Sequence, residues 1–338
     1  MQIHPFVRSA VLLAALAALG SPAFASKEKP VVGISLDTLK QERWQHDRDT
    51  IEARVKALGG TVIATSANGD DTRQVSDIDA LISNHVDVII VVPHNGEALT
   101  RAVEAAKEAG IPIIAYDRLI LNCDIDLYVT FDNVKIGALM AQYVVDRVPK
   151  DHPGRIVCVY GAQTDNNAKL LKQGQDSVLL PLVKAGKINI VHADWAADWN
   201  SENGKKIVNA AIAKSPQPID GVVASADSVA GGVCQALLEE HLAGKVIVTG
   251  QDADRAACQR VMRGSQTMTI YKPLKQLADY AAQAAFDLAQ GKKISAPNSI
   301  DNGFKKVPAV FQDVTVVDKD NMFSTVVKDG FQKAEDLK

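Results

Sequence analysis

From Val31 onward the chain alternates short apolar runs with longer stretches whose apolar positions recur every three or four residues. The runs VVGISL (31–36), TVIATSA (61–67), VDVIIVVP (86–93) and IPIIAYDR (111–118) read as strands, with helices near 41–58, 72–84 and 96–109 between them. Runs that are apolar on both faces belong to a parallel sheet covered by helices, and repeated strand–helix units supply its right-handed crossovers. After a loop comes the short strand YVTFD (128–132), and beyond Asp132 the residues Ile136, Leu139, Met140, Tyr143 and Val144 fall on one helical stripe.

The pattern then starts again. RIVCVYG (155–161), INIVHADW (188–195), DGVVAS (220–225), KVIVTGQ (245–251) and QTMTIYK (266–272) form a second series of strands with helices between them. Each series is too short for a (β/α)8 barrel, and PKDHPG (149–154) breaks the middle of the chain, which favours two sheets. FQDVTVVD (311–318) reads as one late strand, as a chain that revisits both halves requires. The expected fold class is α/β, two Rossmann-like lobes with parallel sheets joined by a multi-segment hinge. The division places residues 26–134 with 273–310 in an N-terminal lobe and 135–272 with 311–338 in a C-terminal lobe.

With 338 residues, 47% of them hydrophobic, the chain has material for two cores and is not intrinsically disordered. Residues 1–25 have the form of an export signal: Arg8 gives the positive end, Val11 to Gly20 the apolar stretch, and Ala23-Phe24-Ala25 a cleavage site after Ala25. The alternative, an uncleaved membrane anchor, is disfavoured because the apolar stretch is too short for a bilayer core of roughly 30 Å. The formal net charge of -3 gives no footprint for a nucleic-acid partner. Cys123, Cys158, Cys234 and Cys258 are too scattered for a disulfide framework; Cys234 with Cys258 is the pair to test for a bridge, against the reading of all four as buried small hydrophobes.

Ligands of parallel sheets bind beyond the carboxyl ends of the strands, and polar residues collect there in this chain. Arg43 and Trp44 follow the first strand, Asp117 and Arg118 the fourth, Asn166 and Asn167 the run ending at Gly161. Trp195 and Trp199 follow INIVHADW, Asp227 follows DGVVAS, Asp252 follows KVIVTGQ, and Lys272 closes QTMTIYK. The set suits a sugar, whose hydroxyls both donate and accept and whose C–H faces fit an indole. Each residue also has a plainer role: Trp44 shares a stripe with Ile51, Val55 and Leu58, Asp117 and Arg118 can form a surface ion pair, and Asp227 or Asn166 can cap a helix.

Signatures of nucleotide, metalloprotease and serine-hydrolase chemistry are absent, so neither a cofactor nor a metal has sequence support. A sugar-modifying enzyme would have to use Asp117 or Asp252 as base, and a transcription regulator of the same core would need an N-terminal DNA-binding helix pair where an export signal stands.

At ERWQHDRD (42–49), SANG (66–69), AYDR (115–118), FDN (131–133), DNNAK (165–169), GQDAD (250–254), QTMTIYKP (266–273) and VVKDGF (326–331) the chain resembles the periplasmic sugar-binding proteins of ABC importers, in particular their xylose-binding branch. The resemblance spans nearly all of the chain after the leader. It implies a type I periplasmic binding protein fold, a monomeric non-catalytic receptor in the periplasm, a permease and an ATPase as partners, and D-xylose or a related aldopentose as ligand. It also implies sugar contacts at Arg43, Trp44, Asp117, Arg118, Asn167, Trp199, Asp252 and Lys272. One departure is Ala226, where the family pattern has asparagine before the aspartate.

Overall fold

A computed structural model describes residues 28–215 and 217–337; the expected leader lies outside the described residues. The first half of the chain runs β1 (Val31–Leu36), α1 (Glu42–Ala57), β2 (Thr61–Ser66), α2 (Asp71–Ser83), β3 (Val88–Val92), α3 (Thr100–Glu108), β4 (Ile113–Tyr116) and β5 (Leu127–Phe131). There follow α4 (Asn133–Arg147), β6 (Gly154–Tyr160), α5 (Asn166–Lys184), β7 (Ile188–Trp195), α6 (Ser201–Lys214), β8 (Gly221–Ala224), α7 (Asp227–Glu239), β9 (Ile247–Val248), α8 (Arg255–Arg263) and β10 (Thr269–Tyr271). The chain closes with α9 (Leu274–Ala289), β11 (Asn298–Asp301), β12 (Lys306–Gln312) and β13 (Thr315–Val317).

Two main sheets result. One has the order β11-β12-β5-β4-β3-β1-β2 and is parallel except for the β11–β12 pair; the other, β7-β6-β8-β9, is parallel throughout. Successive side chains of a strand point to opposite faces. Thus Ile34, Ile90 and Ile114 enter one core, beneath α1 and α9, while Ile89, Val91 and Ile113 enter a second beneath α2 and α3. Burying each such side chain stabilises by roughly 1.5–3 kcal/mol, so a sheet loaded on both faces fixes its register and the positions of its strand ends. In the second sheet α4 and α5 pack closely, because Gly137 and Gly174 leave no side chain between the two backbones.

The chain passes between the sheets at Asp132, at Lys272–Pro273 and at Asp313–Val314. The last passage corrects an expectation. Residues 311–318 are two strands, with Phe311 and Gln312 ending β12 beside β5 and Thr315–Val317 pairing antiparallel with β10. Pro308 masked the true start of β12, but the ladder to β5 begins at Ala309, so no amide is missed there. The polar, exposed β11 offers no apolar run to read. The cysteines are all free and buried. Cys234 and Cys258 donate separately, to the carbonyls of Ser265 and Ala253, so the tested bridge does not exist.

Candidate functional site

The carboxyl ends of both sheets face one cleft, and the local backbone there is set by sequence. The stripe of α1 buries Trp44, Ile51 and Val55 against the first sheet, which leaves Arg43, one residue earlier, at the cleft. Trp44 fills both of its expected roles, packing in the core while lining the cleft. Asp117 leaves β4 with φ 61°, Trp199 sits in a turn at φ 56°, and Asp252 follows β9 at φ 100°. Three non-glycine residues in a costly region of backbone space, all on one cleft, are held there by their surroundings. The Asp117 carbonyl, for example, accepts from Tyr128 Oη, Thr130 Oγ1 and Asn167 Nδ2 at 2.7–3.0 Å. The Trp199 ring lies directly on Gly161, where an added Cβ would stand 2.1 Å from it, and its Nε1 donates to Asp165 at 3.2 Å.

Charge is arranged in a closed network. Arg43 donates to Asp47 and Asp117, at 3.1 and 2.9 Å, and reaches Asp252 at 3.3 Å. Lys272 pairs with the same Asp252 oxygen at 3.0 Å. Arg118 bonds Asp37 and lies 2.8 Å from Asp165, and Asn167 Nδ2 donates to the Asp117 carboxylate. Both guanidinium groups stand over the Trp44 ring, at 4.1 and 5.1 Å from its centroid. Burial by itself would raise the Asp117 carboxyl, but Arg43, Lys272 and Arg118 together hold it below the usual range. Burial keeps Asp47 and Asp165 above theirs in spite of Arg43 and Arg118. The Asp117 carboxylate is thus a fixed anion that accepts hydrogen bonds, and its position among three cations leaves it a poor base.

The cleft is narrow, with a free volume of about 40 Å3 between its polar walls. Its wall holds three bases, Arg43, Arg118 and Lys272, and three acids, Asp117, Asp165 and Asp252, with two indoles. Of the residues expected from sequence, Arg43, Trp44, Asp117, Arg118, Asn167, Trp199, Asp252 and Lys272 come together on this wall. Asp227 does not. Its carboxylate turns behind the wall to accept from Gln266, Thr269 and the Asp254 amide, so it neither lines the cleft nor caps its own helix. Trp195 packs against Tyr160 instead of the cleft. The wall also contains Gln41, Asp165, Ala226, Ser228 and Gln251. Asp165 had a readable signal as the N-cap of α5, whose side chain accepts from Asn167 N; Gln41, Ser228 and Gln251 had none beyond being next to chosen residues. Among the described residues no group of His, Cys, Asp and Glu has the arrangement of a metal site.

Residues 32–293 match the family described as periplasmic binding protein domain. The chain belongs to the periplasmic binding protein family. Within it, the chain is 44% identical over 333 residues to the D-xylose-binding periplasmic protein of Haemophilus influenzae, covering 98% of this chain and 99% of that one. The Escherichia coli protein of the same name is 44% identical over 306 residues, covering 90% and 92% of the two chains. Among solved structures, a carbohydrate transporter solute-binding protein from Chloroflexus aurantiacus in complex with D-glucose superposes with a TM-score of 0.85 at 30% identity, covering 90% of this chain and 97% of that one. The fold is therefore the type I periplasmic binding protein fold, and the expectation of two lobes with parallel sheets is met.

Proposed function

We propose that this periplasmic binding protein is a receptor that closes its two lobes around one molecule of D-xylose and delivers it to the permease and ATPase of an ABC importer. The observation that carries the reading is the composition of the wall: three cations, Arg43, Arg118 and Lys272, each already paired with a carboxylate, with carboxamides and two indoles between them. A charged ligand would have to compete with those pairs among side chains that are largely buried, at high cost. A neutral polyol takes hydrogen bonds from both signs at once and lays its C–H faces on Trp44 and Trp199. Micromolar affinity requires about -8 kcal/mol, within reach of several charge-assisted bonds at roughly 1.5–3 kcal/mol each, less the cost of ordering ligand and lobes. The xylose-binding relatives support the choice of sugar.

The lobes of this reading follow the sheets, so that Arg43, Trp44, Asp117 and Arg118 stand on one side of the cleft and Asn167, Trp199 and Asp252 on the other, with Lys272 at a crossing. Ligand that touches both sides binds the closed form better than the open one, and this difference is what drives closure. Cleavage after Ala25 would release the chain as a monomer into the periplasm, and amino-terminal sequencing of the exported protein checks it. A second reading, glucose or another monosaccharide, is favoured by one feature: Ala226 puts a methyl group in the wall where the xylose-binding pattern has an amide. Thermal shift of sugar-stripped protein with xylose, ribose, arabinose, glucose and the anion xylonate separates the readings. Xylose is expected to give the largest rise and xylonate none. A rise with xylonate equal to that with xylose would refute the neutral-polyol argument, and recovery of altered sugar would make the protein an enzyme.

A further inference from the structure

Next to the sugar cleft lies a second hollow, with a free volume of about 90 Å3, that shares Gln41, Arg118 and Trp199 with it and is lined on its far side by Asp37 and His94. Three groups there form a chain. His94 Nδ1 stands 3.0 Å from Asp37 Oδ1, Asp37 Oδ2 accepts from Arg118 Nη1 at 2.8 Å, and Arg118 Nε lies 2.8 Å from Asp165 across the cleft. Oδ1 is buried, and the imidazole is the partner it faces. A positive charge on His94 turns this contact into a full ion pair. The loop itself is pinned: the His94 amide donates to Gln74 Oε1 at 2.8 Å, and Arg118 also donates to the carbonyl of Pro93.

We propose that His94 is a positioning residue for the ligand-facing Arg118, acting through Asp37, so that sugar affinity follows the charge on His94. The proposal rests on the sugar-receptor reading. When His94 is neutral, Asp37 is free to compensate Arg118 alone, and that pair presents little net charge to the opposite lobe. When His94 is protonated, two cations share the Asp37 carboxylate, and the surplus positive charge on Arg118 favours both Asp165 across the cleft and a sugar hydroxyl. Closure and affinity are therefore strongest below the titration of His94 and weaken as pH rises through it. Contact with the carboxylate raises that titration above the usual imidazole range, against the effect of burial. The other charges around the ring are Asp71 on α2, which adds to the rise, Arg118, which opposes it, and Lys40 and Asp198 on the cavity wall. The side chain is 15% exposed, enough to exchange its proton with solvent.

The test is titration calorimetry of xylose with the sugar-stripped full chain at steps from pH 5.5 to 8.5, alongside His94→Gln and His94→Lys. Affinity of the wild type is expected to fall by about 3- to 10-fold across the range. His94→Gln is expected to be flat at the weak level and His94→Lys flat at the tight level. A flat wild-type profile, a fall in the opposite direction, or a wild-type slope retained in His94→Gln would each overturn the proposal while leaving the receptor reading intact. Absence of xylose binding at every pH would instead remove the receptor reading and this proposal with it.

Discussion

Gly161 and Trp199 show how one absent side chain places a ligand surface. The indole can lie flat against the backbone only because nothing projects from residue 161, so Gly161→Ala must move the ring. Gly161→Ala is expected to weaken xylose binding by about 10- to 100-fold, or about 1.4–2.8 kcal/mol, with little change in melting temperature; calorimetry and a thermal scan together check this. Asp227 makes the opposite point, since burial pushes its carboxyl up to about 7, against Arg260 and with Asp252 adding to the rise. An acid titrating higher when folded than when unfolded contributes most to stability at low pH, and that contribution is lost as pH rises toward the folded value. Asp227→Asn removes the effect. Relative to wild type, the variant is expected to gain melting temperature steadily from about pH 4 to pH 7 and then level off; a difference that does not vary with pH would show that Asp227 is ionised throughout. Its expected place in the cleft was wrong because position after a strand does not reveal that Gln266 and Thr269 wait behind it.

At the scale of elements, what could be read from the sequence was whatever a long apolar run or a helical stripe announces. Strands β1 to β10 were legible because each lies in a short run rich in apolar residues, even the edge strands β2 and β7 that the fold leaves partly exposed, and the site residues at their ends came with them. The edge strand β11 and the break at Asp313 were not, because an exposed edge needs no apolar pattern and a crossing is chosen by tertiary contacts. The contact of α4 with α5 was equally invisible, since it depends on two glycines facing each other's backbones. A Cβ at Gly174 would lie 1.9 Å from the Val134 carbonyl oxygen. Gly174→Ala is expected to force the helices apart at a cost of about 1–3 kcal/mol, lowering the melting temperature by several degrees. A variant as stable as wild type would mean that the helices slide without penalty.

The whole molecule brings Arg43, Asp117, Asp252 and Lys272, scattered over more than two hundred positions, into one bonded group. Their charges are useful together and costly apart: removing a single member strands a buried partner, which typically costs 3–5 kcal/mol. Asp252→Asn, which keeps the shape and deletes one anion, is therefore expected to reduce xylose affinity by at least about tenfold, because Arg43 and Lys272 then repel each other without their shared partner. The same pairing underlies the proposals that the site takes a neutral sugar and that His94, one layer out, tunes it. The measurement that bears most directly on this account is calorimetric titration of D-xylose into sugar-stripped protein near neutral pH. The account predicts a single site of micromolar or tighter affinity; no heat with xylose, together with no heat from ribose, arabinose or glucose, would contradict it.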